Sequence, residues 1–173
     1  AVAGSPPSRQ LVKNDDITSW FSVPSWTRAP LPTGTPASGE AWLLFADSAG
    51  VASELAARAT ARGVKVVMVS PGSALAWQDD STVVLNPASP ADYESLVGDL
   101  VARETVPRRV VHLWNLDRAA VSPAGDREFM ATQQRGFYSL LALVQELASR
   151  GVTSQIDLTN VGDHFERVAT GDA

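Results

Sequence analysis

The sequence predicts an α/β protein built on a parallel sheet of the doubly wound kind. Short, nearly all-apolar runs recur along the chain, which is typical of strands that are buried on both faces. Segments with the helical spacing of apolar residues lie between these runs, so that strand and helix alternate from Ala41 onwards. Gly, Pro and helix-capping residues stand where the two patterns meet.

The first part of this pattern is a β-α-β unit. Residues 41–47 are predicted to form a buried strand, residues 50–62 a helix, and residues 64–70 a second buried strand. The crossover between the two strands should be right-handed. Helical spacing predicts the apolar residues that this helix buries, and a glycine is expected to end it: Val51, Leu55, Ala59 and Gly63.

The second part continues the alternation. Its elements are strand 81–87, a helix from Ser89 to about Glu104, strand 109–117, a helix from about Arg127 to Arg150, strand 155–161 and a candidate short strand at 164–169. Ser89 is suited to cap a helix that has Pro90 in its first position and an acidic residue in its first turn. The long helix is expected to bury one apolar face: Phe137, Leu140, Leu141, Val144 and Leu147.

Two segments precede this pattern. Residues 1–16 are rich in Pro, Ser and charge, and we expect a disordered linker. One domain, 17–173, is expected to follow, and it opens on an aromatic strand-like segment that contains Trp20, Phe21 and Trp26. Pro24 within this segment favours an edge strand or a bulge, because proline cannot donate to a central ladder.

Composition excludes several classes of function. The formal net charge of −5 disfavours nucleic acid and anionic membranes as main partners, because both attract basic surfaces. No apolar run approaches the length of a membrane span, and the N-terminal residues do not resemble a signal peptide. The sequence contains no cysteine, which excludes disulfides and thiolate chemistry and fits a cytoplasmic protein.

A dinucleotide site would need the G-x-G-x-x-G turn after the first strand, because only glycines let the backbone approach the pyrophosphate closely. The corresponding turn runs from Asp47 to Ala52 and retains one glycine, Gly50. Asp47 would place a carboxylate near the phosphates. The turn therefore indicates a degenerate half that binds no cofactor.

The residues of a short-chain reductase are also missing. That chemistry needs a tyrosine with a lysine four residues later, which lowers the pKa of the phenol. The two tyrosines, Tyr93 and Tyr138, are followed at that distance by valine and alanine. His112 lies in a buried-strand pattern and His164 in a turn, and both are expected to be structural or surface residues rather than metal ligands.

Asp47 also permits a different hypothesis, that of a magnesium-dependent phosphotransfer or nucleotide-binding domain. Its place after the first strand is one where such domains keep a catalytic carboxylate. These sites usually recruit a lysine from a later strand and further acids. No lysine follows Lys65, and Asp79 and Asp80 lie in a predicted solvated loop.

The tryptophans divide into two groups. Trp42 and Trp114 stand in core-like strands and are expected to pack inside. Trp20, Phe21 and Trp26 lie on the N-terminal edge segment, where exposed aromatic residues often mark a docking surface. We therefore treat these three as candidate residues of a domain interface.

Four segments in this order resemble one family: WFSVPSWTRAPLP, RVVHLWNLD, RGFYSLLALVQEL and DLTNVGDHFERVATGD. They are similar to the structural subdomain of ketoreductases in modular type I polyketide synthases, and the resemblance extends from about Asp16 to the end. It implies a degenerate Rossmann-like parallel sheet flanked by helices and preceded by an N-terminal edge strand. It also implies a short-chain dehydrogenase-like scaffold that has lost its cofactor site.

The resemblance implies a division of labour within the parent multienzyme. NADPH and the catalytic residues belong to a complementary half, and no catalytic position of the family is carried over to this chain. The expected partners are that catalytic ketoreductase subdomain or adjacent domains such as a methyltransferase, an enoylreductase or a dehydratase. Whether the parent is an active ketoreductase or a pseudo-ketoreductase stays open at this point.

Overall fold

The computed structural model describes residue 16 and residues 39–116, 126–152 and 154–162. These residues form six strands and four α-helices, and a π-helical turn joins the last two helices. They are β1 (Ala41–Phe45), α1 (Val51–Thr60), β2 (Lys65–Pro71), β3 (Ala76–Trp77), β4 (Thr82–Leu85), α2 (Pro90–Ala102), β5 (Arg109–Asn115), α3 (Asp126–Gln133), the π-helical turn (Gln134–Tyr138), α4 (Ser139–Ser149) and β6 (Asp157–Gly162).

The strands form one sheet in the order β3-β4-β2-β1-β5-β6. All neighbouring pairs are parallel except β3 with β4, which is antiparallel. Leaving β3 aside, the order is that of the first five strands of a doubly wound sheet, with the direction of winding reversed on either side of β1. The predicted α/β class is confirmed.

Each face of the sheet is covered by different helices. Helices α2 and α4 contact each other over one face, where the strands contribute the larger core cluster: Leu43, Phe45, Val67, Val69, Val83, Leu85, Val110 and Trp114. Helix α1 packs on the opposite face against a smaller cluster that includes Trp42, Leu44, Val111 and Leu113. Since both faces of the sheet are covered, the central strands are mostly apolar, as their sequences predicted, and His112 in β5 is a buried polar exception.

Local sequence signals explain the helix boundaries. Ser89 caps α2 by accepting a hydrogen bond from the Asp92 backbone N–H, and Pro90 is the first helical residue, as predicted. Gly63, whose φ angle is +79°, follows α1 in the left-handed conformation that favours glycine. Val51, however, is 47% exposed, so the prediction that α1 buries it is wrong. Val51 lies in the first turn of α1, and the neighbouring Ala52 faces the sheet instead.

The long C-terminal helix differs most from its prediction. Phe137, Leu141 and Val144, expected to be buried, are exposed, whereas Leu147 is buried as predicted. Ser139 and Leu143, which were not predicted, also face the core. The apolar residues of this segment cover a wide arc of the helix, so that their spacing alone did not determine which part of the arc packs on the sheet.

Strand β3 was not predicted. It follows β2 and adds two residues antiparallel to β4. Trp77 anchors it, because its indole N–H donates to the Asp99 carboxylate at 2.6 Å and its ring stacks under the Arg103 guanidinium at 3.9 Å. These contacts fix this edge of the sheet to the C-terminal half of α2.

Several predicted features lie outside the described residues. These are residues 1–15 of the predicted linker 1–16, the N-terminal edge strand and the candidate strand at 164–169. Among the described ranges, no helix is long and apolar enough to span a membrane.

Candidate functional site

The turn between β1 and α1 is where a doubly wound fold binds phosphates, at the carboxyl end of the central strand. Here the Asp47 side chain occupies the N-terminus of α1. Its Oδ1 accepts a hydrogen bond from the Ala52 backbone N–H at 2.7 Å, and its Oδ2 accepts one from the Val51 N–H at 3.1 Å. Gly50 directly precedes α1 with a φ angle of +94°, a conformation that favours glycine. Because glycine has no side chain, Asp47 supplies the side-chain cap of this helix instead.

The charge state of Asp47 agrees with this role. Partial burial raises the pKa of its carboxyl, but several backbone hydrogen bonds, of which those from Ala52 and Val51 are the largest, together lower it more, so that the pKa lies below its ordinary value. The carboxylate is thus ionised at neutral pH and complements the positive end of the α1 dipole.

The hydrogen bonds of Asp47 decide whether a dinucleotide could bind at the turn between β1 and α1. A pyrophosphate would be bound by the free N–H groups at the start of α1. The Asp47 carboxylate already accepts from two of them, and its negative charge would lie against the phosphates. A dinucleotide therefore does not fit this turn as it stands. Within the described ranges there is no group of three His, Asp or Glu residues that could hold a metal ion.

An open cavity of about 400 Å³ lies further along the carboxyl edge, beyond β2 and β4. Its lining is mostly backbone and small or cyclic side chains, with two amides and one guanidinium: Pro71, Gly72, Asn86, Pro87, Ala88, Ala131, Gln134 and Arg135. The Asn86 amide oxygen is engaged by the Ala88 N–H at 3.0 Å. Among the residues that the structure describes, no carboxylate, histidine or hydroxyl lines the cavity.

A buried polar group lies between β5 and α4. His112 and Ser139 are both fully buried, and His112 Nε2 lies 2.9 Å from the Ser139 hydroxyl oxygen. The hydroxyl also donates to the backbone carbonyls of the π-helical turn, including that of Gly136 at 3.0 Å. Because its one hydrogen is directed there, we infer that His112 Nε2 carries the proton and donates to Ser139.

The burial of this pair determines what it does. Burial lowers the pKa of His112 to about 4, so the imidazole is neutral near pH 7. Burial likewise raises the pKa of Tyr93, whose hydroxyl donates to the Pro87 carbonyl. Since neither His112 nor Ser139 is exposed, no substrate reaches them. Their contact joins α4 to β5, and His112 is buried within its strand, as the strand pattern predicted.

The most prominent surface feature is apolar. An exposed set of large side chains runs along α3, the π-helical turn and α4, and we call it the apolar stripe: Phe129, Phe137, Leu141 and Val144. Phe137 is 60% exposed and Phe129 57%. Exposed apolar residues that are contiguous on one helix commonly mark an interaction surface. Helical spacing had predicted Phe137, Leu141 and Val144 to be buried, and it gave no prediction for Phe129.

The remaining sequence predictions have different outcomes. Trp42 and Trp114 are 6% and 2% exposed, which confirms their packing inside. The candidate interface residues Trp20, Phe21 and Trp26 lie outside the described residues, as does His164.

Comparison with solved structures defines the class of fold. A "keto acid-selecting NRPS module" with adenylation, ketoreductase and pseudo Asub parts matches with a TM-score of 0.73 and 25% identity, over 84% of this chain and 12% of that one. An N-terminal ketoreductase from the macrolactin assembly line matches with a TM-score of 0.60 and 14% identity, over 72% of this chain and 25% of that one. A short-chain dehydrogenase from Streptomyces avermitilis matches with a TM-score of 0.51 and 16% identity, over 73% and 49%. The fold is thus that of short-chain dehydrogenases, and the chain spans only a small part of the first two proteins.

The family follows from a second comparison. The model of the "Beta-ketoacyl synthase-like, N-terminal" family matches residues 40–166, which is most of the sequence. The chain belongs to this family and is related to the ketoreductase region of modular synthases, which confirms the resemblance that its motifs predicted. No curated protein matches it.

Proposed function

We propose that this chain is a non-catalytic structural half of a ketoreductase in a polyketide synthase module. Its role is to brace the NADPH-dependent catalytic half, or domains inserted beside it, during polyketide biosynthesis. The observation that carries this proposal is the Asp47 carboxylate, which accepts hydrogen bonds from the N–H groups that a cofactor phosphate would need. NADPH would be bound only by the complementary half.

The apolar stripe supports the bracing role. A scaffold must offer a surface that its partner covers, and four large side chains on one helical segment provide one. The buried His112–Ser139 contact fixes the segment to the sheet from its other side. Trp20, Phe21 and Trp26 remain proposed as further residues of the same kind of interface.

The relatives support the choice of partner. One solved structure with this fold is a multidomain NRPS module that includes a ketoreductase, another is a ketoreductase from the macrolactin assembly line, and this chain covers only part of each. A ketoreductase half, or a neighbouring methyltransferase, enoylreductase or dehydratase domain, is therefore the partner that we propose.

Co-expression tests this function. The chain is produced with the reductase half of its parent multienzyme, each with a different affinity tag, and the purified pair is assayed with NADPH and a β-ketoacyl thioester. We expect a stable complex that is lost in the double variant Phe137→Ser, Leu141→Ser. Activity of the pair would identify an active ketoreductase, and a stable but inactive pair would identify a pseudo-ketoreductase. If the two halves do not associate, the bracing role is wrong.

A further inference from the structure

The two edges of the described sheet differ in length and direction. On one side, β3 is two residues long, runs antiparallel to β4 and is anchored by the contacts of Trp77. On the other side, β6 is six residues long and runs parallel to β5. Among the described residues, no strand lies beside the outer edge of β6. A long open edge of this kind can pair with a strand of another chain.

The backbone of β6 presents hydrogen-bonding groups at this outer edge. The Asp157 N–H donates to the Arg108 carbonyl at 3.0 Å, so the backbone groups of Asp157 point towards β5. Direction alternates along a strand, so that Thr159 also points inwards, whereas the N–H and C=O groups of Leu158 and Asn160 point outwards. The register with β5 is regular up to Asn160. Two donors and two acceptors therefore stand at the spacing that a further strand needs.

The sequence of β6 lacks the residues that usually protect an edge strand. Proline, lysine and unpaired charged side chains are common on protected edges. The strand DLTNVG contains no proline and no basic residue, and its one charged side chain, that of Asp157, lies 3.6 Å from the Arg109 guanidinium. At the opposite edge, by contrast, Asp79 and Asp80 follow β3 after one residue.

Both faces of β6 are exposed as well. The first four residues of the strand are exposed, and Leu158 is 43% exposed. In β1, at the centre of the sheet, all five residues are buried. Parallel strands are almost always covered by helices on both faces of their sheet. The exposure of β6 therefore marks a place where a parallel sheet of this kind normally continues.

The fold indicates which kind of strand completes this edge. Leaving β3 aside, the strands have the order of the first five in a doubly wound sheet, whose next strand lies parallel beside the fifth. A parallel neighbour requires a crossover, usually a helix, and such helices cover the faces of the sheet. A second copy, paired through its own β6, would only join two strands whose faces are both exposed. A parallel strand from a different polypeptide therefore fits this edge better.

We propose that the complementary reductase half adds a β-strand to the outer edge of β6, parallel to it, through the backbone groups of Leu158 and Asn160. The inference rests on the proposed bracing function and adds a second contact to the apolar stripe. When a strand is added to a sheet edge, main-chain hydrogen bonds supply affinity and alternate side chains supply specificity. Side chains of the added strand would cover Leu158.

Two substitutions at position 158 separate the backbone from the side chain. Leu158→Pro removes an N–H that points away from β5, so that it leaves the pairing with β5 in place, whereas Leu158→Ala shortens the side chain and keeps the N–H. Each variant is titrated with the purified reductase half by isothermal titration calorimetry. We expect Leu158→Pro to bind about 10-fold more weakly than Leu158→Ala, since a hydrogen bond is lost and the ring blocks the approach of a strand. Equal affinities of the two variants would overturn strand addition.

The outcomes separate this proposal from the bracing function. If the wild-type chain does not bind the reductase half, the bracing function is wrong and strand addition with it. If the wild-type chain binds and Leu158→Pro binds as tightly as Leu158→Ala, strand addition alone is wrong. If light scattering shows that the isolated chain is a dimer and that Leu158→Pro makes it a monomer, a second copy occupies the edge, and the assignment to the reductase half is overturned.

Hydrogen exchange tests the same edge without any substitution, and it decides the question if circular dichroism shows that Leu158→Pro does not fold. In the isolated wild-type chain, NMR should show fast exchange of the Leu158 and Asn160 amides and slow exchange of the Thr159 amide, which is the internal control. In the complex with the reductase half, exchange of both outward amides should slow by about 10-fold or more. If they exchange equally fast in the complex, the reductase half does not add a strand to β6.

Discussion

Asp47 offers the sharpest test of how the β1–α1 turn is built. The substitution Asp47→Ala removes both acceptors from the first turn of α1 and leaves the Val51 and Ala52 N–H groups to solvent. Losing a side-chain cap costs about 0.5–2 kcal/mol, and losing the favourable contact with the helix dipole adds about 0.3–1 kcal/mol. We expect a loss of about 1–2 kcal/mol in the free energy of unfolding at pH 7.

The assay is urea unfolding at 25 °C, with thermal unfolding as a second readout. For a chain of this size the expected loss lowers the melting temperature by about 2–8 °C. Glu54→Ala is the matched control on the same helix, because its ion pair with Arg58 joins two largely exposed side chains. Such a pair contributes at most about 0.5 kcal/mol.

The effect of Asp47 depends on pH in a direction that the structure determines. Because the pKa of its carboxyl is lowered in the folded state, the stabilisation is fully present above the unfolded pKa, about 3.9, and is lost as the pH falls through the folded value. The difference between the wild-type chain and Asp47→Ala should therefore shrink below about pH 4. If Asp47→Ala were as stable as Glu54→Ala at pH 7, the carboxylate cap would be refuted.

Three further predictions concern buried and strained positions. As the pH falls from 6.5 to about 4, the free energy of unfolding should decrease by up to about 3 kcal/mol, because the unfolded chain binds a proton at His112 that the buried imidazole excludes. His112→Phe should abolish this part of the pH dependence of urea unfolding. Glu104→Gly should stabilise the chain by about 0.5–1 kcal/mol in thermal unfolding, since Glu104 has a φ angle of +54°, and Glu104→Ala should bring no gain. Trp77→Phe should cost about 1–2 kcal/mol in urea by removing the donor to Asp99; an unchanged midpoint would contradict the anchoring of β3.

The sequence predicted most of the sheet because its signals are local. Strands β1, β2 and β5 are apolar runs bounded by turn residues, and Ser89 with Pro90 marks the start of α2 in the sequence itself. The two residues of β3 are too few for any periodicity, and they are held by Trp77 contacts with a distant helix. Such contacts leave no local pattern.

The exposed face of the long helix could not be predicted for a related reason. Its apolar residues cover a wide arc of the helix, so that their spacing alone permits more than one orientation. The orientation is set by the buried hydroxyl of Ser139 against His112 and by Gly136 against Asn115, which are contacts with another element. Likewise, the sequence placed Asp47 near a phosphate site, but only the structure shows its carboxylate bonded to the helix N-terminus.

The most direct test of the non-catalytic assignment is calorimetric titration of the purified, folded chain with NADPH. We predict no saturable binding up to millimolar cofactor, because the Asp47 carboxylate takes the place of the phosphates at the start of α1. Saturable binding with a stoichiometry near one would contradict the account, since it would mean that this chain carries a cofactor site of its own.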